Sequence, residues 1–330
     1  GGHWHDDPSL YRDASDGRLT WAFPAAPRSG RDAPNPFQPY DPVTPPSFAG
    51  REAALRRLDA SLDEGHGVSI VGDWRIGKSS LLATWAARLR DAGRTVRRID
   101  GQGPDGESVS ALVSSVIDRP APDGTEPAAD ALDAWARTEP EGLEPVLVID
   151  ELDGIVRRFD PRFFERLREM LGRLVVVTAS RRPVDALYDE LGRTSPFHNR
   201  LRVLHLGLLD ARATDAIVAL GDGLLDSDDR SLLHRWAGRH PFHVQLLGHC
   251  LAEARRFGEP RADALDRYRD GAEQRLLELW RHLDPRDQDA LRATTRGRPA
   301  TRRSLRRRGL VTDEGEPFGE ILATWLREEA

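Results

Sequence analysis

A single lysine constrains this chain more than any other residue. Of its 48 basic residues 47 are arginine, and the one lysine, Lys78, sits inside Gly72-Asp73-Trp74-Arg75-Ile76-Gly77-Lys78-Ser79. That spacing, G-x-x-x-x-G-K-[ST], is the phosphate-binding loop. Its glycines let backbone N–H groups close around phosphate oxygens. A compact ammonium reaches between β- and γ-phosphates in a way that a planar guanidinium does not reproduce. The Ser79 hydroxyl is placed to ligate Mg²⁺. The flanks agree: Gly67-Val68-Ser69-Ile70-Val71 reads as a buried strand, and Ser80-Leu81-Leu82-Ala83-Thr84-Trp85 opens a helix whose N-terminus favours anions.

The rest of the chain supplies the sheet that such a loop needs. Strands are expected at 67–71, 95–100, 145–151, 174–181 and 201–206, alternating with helices, which argues for a parallel α/β sheet. Residues 1–46 hold nine of the 23 prolines and read as an extended arm. Residues 101–142 carry nine acids and two arginines, and read as a surface excursion with two short helices. From about 210 the spacing is helical throughout. Beyond 285 come short helices, a strand-like Gly309-Leu310-Val311-Thr312 and a last helix to about 328, the order of a winged helix. The expected units are an arm at 1–46, an α/β domain at 47–208, a helical lid at 209–284 and a winged helix at 285–330. No apolar run approaches the ~18 residues of a membrane span. One cysteine, Cys250, excludes a disulfide framework, and no charged-then-apolar leader is present, so the expected location is cytoplasmic.

Three further groups of residues carry candidate chemistry. Asp150 and Glu151 end the apolar run Pro145-Val146-Leu147-Val148-Ile149. An Asp there can hold Mg²⁺, and an adjacent Glu can deprotonate the attacking water, with Lys78 on the phosphates. Asp153 reads as a cap of the following helix. Ser180 and Arg181 end the next strand. They read either as a sensor of the γ-phosphate or as a surface serine and arginine in an arginine-rich chain. His240 and His243, near His249 and Cys250, have no carboxylate at ligand spacing and read as core or surface residues. Between Arg292 and Arg308 lie eight arginines and no acid, within a chain of net charge −6. Arg302, Arg303 and Arg306 are expected on one helix face, meeting either nucleic-acid phosphates or an acidic protein surface.

These residues resemble the STAND branch of AAA+-like P-loop ATPases, found in bacterial signalling and conflict systems. The resemblance runs from Asn35 to the end. It rests on Asn35-Pro36-Phe37 with Pro42-Val43, on Phe48-Ala49-Gly50-Arg51-Glu52, on Asp73 to Leu82, on Thr178-Ala179-Ser180-Arg181 and on Gly238-Arg239-His240-Pro241-Phe242. It implies that Phe48, Ala49 and Arg51 line the adenine site and that Pro241 packs on the base. Gly72, Asp73, Trp74, Arg75, Ile76, Gly77, Lys78, Ser79 and Ser80 would surround the phosphates. It implies ATP or ADP with Mg²⁺ as cofactors, Ser180 and Arg181 as a first sensor, and the strand order 5-1-4-3-2.

The expected function is a Mg-ATP switch with slow hydrolysis that regulates a partner in signalling or defence. Family members carry an effector domain before the ATPase or a repeat sensor after it. Here the effector or sensor would be a separate protein, or the chain a piece of a longer one. Self-association and DNA binding through the basic winged helix are further expected partnerships, and a membrane is not. Two alternatives stand beside the switch: a nucleic-acid-binding ATPase of the initiator or loader kind, and a nucleotide-bound scaffold that does not hydrolyse. Among 47 arginines none is assigned as an arginine finger.

Overall fold

The computed structural model describes residues 11–12, 19–20, 34–138, 140, 143–193 and 196–330. Most of the expected arm at 1–46 lies outside these residues, apart from a two-residue strand pair, Tyr11–Arg12 with Leu19–Thr20, and the segment from Pro34.

Five parallel strands form the sheet: β1 (Gly67–Val71), β2 (Val96–Asp100), β3 (Val146–Asp150), β4 (Val175–Ser180) and β5 (Leu201–His205), in the order β5-β1-β4-β3-β2. This is the order that the resemblance implies. The three central strands are buried along their whole length, as continuous apolar runs require. The edge strands keep charge outward, with Arg202 on β5 and Arg97 and Arg98 on β2 only partly covered or exposed, which blunts edge pairing.

Successive side chains point to opposite faces, so each strand feeds two cores. Val146 and Val148 join Val68, Ile70 and Val177 under α1 (Glu52–Asp63) and α2 (Lys78–Asp91). Leu147 and Ile149 join the other face, beneath α3 (Val109–Ile117), α4 (Thr125–Ala136), α5 (Leu152–Arg158), α6 (Pro161–Met170) and α7 (Val184–Glu190). The acidic segment 101–142 is therefore more than a surface excursion. Val109, Leu112, Val113 and Val116 and Ala128, Ala129 and Leu132 close the second core, at about 1.5–3 kcal/mol for each large side chain buried. α3 itself carries no charge; Glu107, Asp118, Arg119 and Asp123 lie exposed in the turns around it, and Glu126 and Asp130 on the exposed side of α4.

A third core holds everything after the sheet. It gathers α8 (Ala211–Ala219), α9 (Ser227–Leu232), a π-turn at Leu233–Ala237, α10 (Pro241–Phe257), α11 (Arg261–Arg281), α12 (Pro285–Thr294), α13 (Arg303–Arg308) and α14 (Glu320–Glu328). Between α13 and α14 the chain makes a minimal hairpin, with one bridge between Val311 and Pro317. Phe37 joins this core from the other end of the chain. Its ring lies so close over Gly248 that a Cβ there would stand 2.5 Å from it. No helix among the described residues is long and apolar enough to cross a membrane.

His240 and His243 are core residues, as expected, and no His, Cys, Asp or Glu cluster among the described residues is arranged to hold a metal. His243 Nδ1 meets Tyr268 Oη at 3.1 Å, and the rings of His240 and His243 both pack on Phe318. Burial lowers His240 from 6.5 to about 3, and lowers His243 well below 6.5. Above pH 6.5 both imidazoles are neutral folded or unfolded. Below it the unfolded chain takes up protons that the folded chain refuses, so stability drains away as pH falls towards the folded value. Each histidine should remove up to about 1.4 kcal/mol per pH unit. Urea midpoints measured from about pH 7.5 down to about pH 5 should fall accordingly. A flat profile would mean that both rings reach water in the native state.

Candidate functional site

The phosphate loop connects β1 to α2 at the C-terminal edge of the sheet. Two of its residues have positive φ. Gly77 (φ 94°) caps α2 in the left-handed region that favours glycine, and Arg75 reaches φ 59° with a side chain. The first turn of α2 has no acid and its last turn has Arg88 and Arg90, so the helix dipole leaves its N-terminus open to an anion. Lys78 is 4% exposed, and its Nζ donates to the Gly72 carbonyl (3.0 Å) and the Asp73 carbonyl (3.2 Å).

A cavity of about 370 Å³ opens beside this loop. Of the residues singled out in the sequence, Phe48, Ala49, Arg51, Trp74, Arg75, Ile76, Gly77, Lys78, Ser79, Ser80, Glu151 and Pro241 line it. Gly72, Asp73, Asp150, Ser180 and Arg181 stand behind that lining. The wall is apolar where α8 and α10 face residues 34–51, the lead-in segment to α1, with Ile217, Pro241 and Phe242. It is polar along Gly77 to Ser80. One end thus suits a flat apolar group and the other an anion.

The lead-in segment is stitched across the cavity by Gln38 and Gln245, which the sequence left unassigned, and by Val43 and Ser80, which it named. Gln38 N donates to Gln245 Oε1 (2.9 Å), and Val43 N to Ser80 Oγ (3.0 Å). Arg75 does not face the phosphate position alone. Its Nη1 donates to the Tyr40 carbonyl (2.7 Å), and its guanidinium lies 5.7 Å over the Phe242 ring, which Arg275 also covers at 4.6 Å. Burial, then the neighbouring Arg275, lower the Arg75 pKa. Arg51 is a buried brace: its Nη2 donates to the Ile76 carbonyl (2.8 Å), and burial lowers its pKa to about 10.

Glu151 follows β3 with φ 51°, a left-handed position that costs an ordinary side chain roughly 1 kcal/mol or more. This turn brings the carboxyl to the cavity wall. Burial raises its pKa, and Lys78 works against that rise. Asp153 is not the cap of α5. It lies inside the helix, and its Oδ2 accepts from Arg181 N (3.0 Å), because Glu151 already occupies the capping position. Ser180 Oγ donates to the Arg182 carbonyl (2.7 Å), and the Arg181 guanidinium lies 5.5 Å over Trp74.

Mg²⁺ asks for few protein oxygens, the remainder coming from phosphates and water. The Ser79 hydroxyl and the Asp150 carboxylate, both at the sheet edge, suit that donor set. Asp150 is held firmly: Oδ1 accepts from Glu151 N (3.1 Å) and Oδ2 pairs with Arg98 Nη2 (2.9 Å).

The arginine-rich stretch divides. Arg302 is the cap of α13 rather than a member of it, and it pairs with the buried Asp287 and with Asp284. Arg308, at the other end of α13, reaches into the phosphate loop. Its Nε lies 2.6 Å from Asp73 Oδ2, while Asp73 Oδ1 accepts from Trp74 N (2.8 Å). Arg303 and Arg306 are exposed. Burial, then Arg307 and Arg303, lower the pKa of His205 at the end of β5.

With this geometry in hand, known proteins give a consistent answer. The Walker-type ATPase PABY2304 of Pyrococcus abyssi superposes with a TM-score of 0.61 at 18% identity, covering 88% of this chain and 100% of its own. The ORC2 protein of Aeropyrum pernix, solved as ADPNP and ADP complexes, gives 0.56 at 16% identity, with 78% of this chain and 77% of its own covered. The ORC1 protein of Aeropyrum pernix, solved in complex with DNA, gives 0.50 at 16%, with 77% and 72% covered. At such identities the likeness is one of fold. None of the curated proteins compared with this chain matches it. The sequence profile described as "Novel STAND NTPase 1" matches residues 36–218, more than half of the 330 residues and the whole of the lead-in segment, sheet and phosphate loop, so the chain belongs to the novel STAND NTPase 1 family of P-loop NTPases.

Proposed function

We propose that this protein is an ATP-dependent switch: it binds ATP with Mg²⁺, hydrolyses it slowly, and alters the seating of its C-terminal unit on the nucleotide site. The observation that carries this reading is the Arg308–Asp73 ion pair, which joins the phosphate loop to a residue 235 positions away. In the bound complex Lys78 and the N-terminus of α2 hold the phosphates. Ser79 and Asp150 would hold the metal, which would supply neutralising charge beside the phosphates. Glu151 takes the proton of the attacking water. Arg98 keeps the Asp150 carboxylate in place. The helix–helix–hairpin–helix order of α12 to α14 supports a winged helix as the moving unit. A separate effector or sensor protein, in a bacterial signalling or defence setting, is the partner to which the change is delivered.

Hydrogen exchange across residues 303–330 tests the switch. The expected result is different protection with ADP and with an ATP analogue that resists hydrolysis. Arg308→Ala should bind nucleotide more weakly, because it leaves Asp73 unpaired, and at saturating nucleotide it should erase the difference. Equal protection in both nucleotide states of the parent chain would reduce the protein to a static scaffold.

Arg303 and Arg306, both exposed and the former near His205, favour a second reading as an ATPase that binds nucleic acid. Commitment of Arg302 to Asp287 and of Arg308 to Asp73 weakens it, since two of the cluster's cations already have carboxylate partners.

A further inference from the structure

Gln245 lies one turn after Pro241 on α10, so the two share a helix face. Its neighbours along the helix, Val244, Leu246 and Leu247, are buried apolar residues. Gln245 is itself only 5% exposed, and it lines the cavity. A buried primary amide is costly unless both of its ends are hydrogen-bonded. One end is satisfied: Oε1 accepts from Gln38 N at 2.9 Å. The other is not, for Nε2 is buried with no hydrogen-bond partner among the described residues. Turning the amide over does not relieve this, because it would set N–H against the Gln38 N–H. The amide orientation is therefore fixed, and a donor is left over in the wall of the cavity. A leucine or methionine would fill the same place without that cost, roughly 1–3 kcal/mol for a buried unsatisfied donor.

We propose that Gln245 reads the base of the bound nucleotide, donating from Nε2 to a ring nitrogen of a purine. The inference rests on the nucleotide reading above and adds a residue that selects the base. The chemistry narrows the acceptor. Pro241, Ile217 and Phe48 give this end of the cavity apolar walls suited to a flat ring, whereas the phosphates belong with Gly77 to Ser80. An aromatic ring nitrogen is the acceptor that enters such walls without bringing a charge. The lead-in segment matters for the same reason. By fixing Oε1, the Gln38 amide aims the remaining donor before any ligand arrives, so little side-chain ordering is left to binding.

Calorimetry on the full chain tests this with ATP, inorganic tripolyphosphate, and 1-deaza-, 3-deaza- and 7-deaza-ATP. Gln245→Met removes the donor at similar volume. Gln245→Glu keeps an acceptor for Gln38 N–H but replaces the donor. Each variant should bind ATP about five- to tenfold more weakly, as loss of one neutral hydrogen bond implies. Tripolyphosphate affinity should not move. One deaza analogue should show the same deficit on the parent chain and lose nothing more on Gln245→Met. That arm needs no variant to fold. Equal losses for ATP and tripolyphosphate would make Gln245 a prop of the site's shape and overturn the inference. So would a parent chain that binds all three deaza analogues as well as ATP. A parent chain that binds neither ATP nor tripolyphosphate would instead overturn the nucleotide reading, and this inference with it.

Discussion

Replacing Lys78 with alanine is expected to weaken ATP binding by about a hundredfold or more, since charge-assisted hydrogen bonds contribute roughly 1.5–3 kcal/mol each. The ammonium is already in place, buried at the loop and held by the Gly72 and Asp73 carbonyls at 3.0 and 3.2 Å. Swinging from two carbonyl oxygens to phosphate oxygens exchanges neutral acceptors for charged ones, which is where the affinity arises. Lys78→Arg should fail nearly as badly. A planar guanidinium does not fit where only 4% of the lysine is exposed. The fold should survive both changes, because the cores on the two faces of the sheet do not include the ammonium, and circular dichroism would verify that. Parent-like affinity in Lys78→Ala would remove the phosphate loop from the binding site.

Glu151→Gln is expected to leave ATP affinity within about twofold and to slow hydrolysis by ~10²–10⁴, the usual contribution of general-base assistance. Shape and volume are conserved, so binding has no reason to change, whereas the amide cannot accept the proton of water. Burial raises the pKa of this carboxyl. The ionised form is the base, so turnover in the parent chain should decline as pH falls through the raised value, and that limb should vanish in the variant. Single-turnover hydrolysis across pH separates the two. Equal rates in variant and parent would make Glu151 a structural cap of α5.

What was legible in the sequence is what local pattern encodes. Strands β1, β3 and β4 are continuous apolar runs because both their faces are covered, and a run of that kind can be read without knowing its neighbours. The phosphate loop is legible because its glycines, lysine and serine fall within eight consecutive residues, between an apolar run and a helix start. The acidic segment 101–142 was misread for the opposite reason. Its charges dominate composition, while the three- and four-residue spacing of Val109, Leu112, Val113 and Val116 is what decides its burial. Asp153 was misread because the turn after β3 comes two residues earlier than a cap at that position would need.

The parts that stayed hidden are pairings across space. Arg98 with Asp150, Gln38 with Gln245 and Arg308 with Asp73 lie 52, 207 and 235 residues apart. Spacing along the chain carries no trace of them. In a sequence with 47 arginines, neither Arg98 nor Arg308 stands out by type. Ser80 was legible as part of the loop, but its hydrogen bond to Val43 depends on where the lead-in segment crosses, which the packing of Phe37 on α10 and the bonds of Gln38 and Tyr40 determine together.

The seating of Arg308 on Asp73 has an electrostatic corollary. Asp73 places a negative charge, 5% exposed, in a loop whose purpose is to receive anions. Left alone it would repel them. Arg308 cancels that charge from the far end of the chain, so the loop is most receptive while α13 is seated. Coupling of this kind runs both ways: if seating favours the polyphosphate, the polyphosphate favours seating by the same free energy. A partner that draws α13 away must therefore work against the bound nucleotide, and in doing so it would loosen the nucleotide by unmasking Asp73. In the proposed switch, exchange of the spent nucleotide and release of the C-terminal unit would then be one thermodynamic event, with Asp73 as the charge they share.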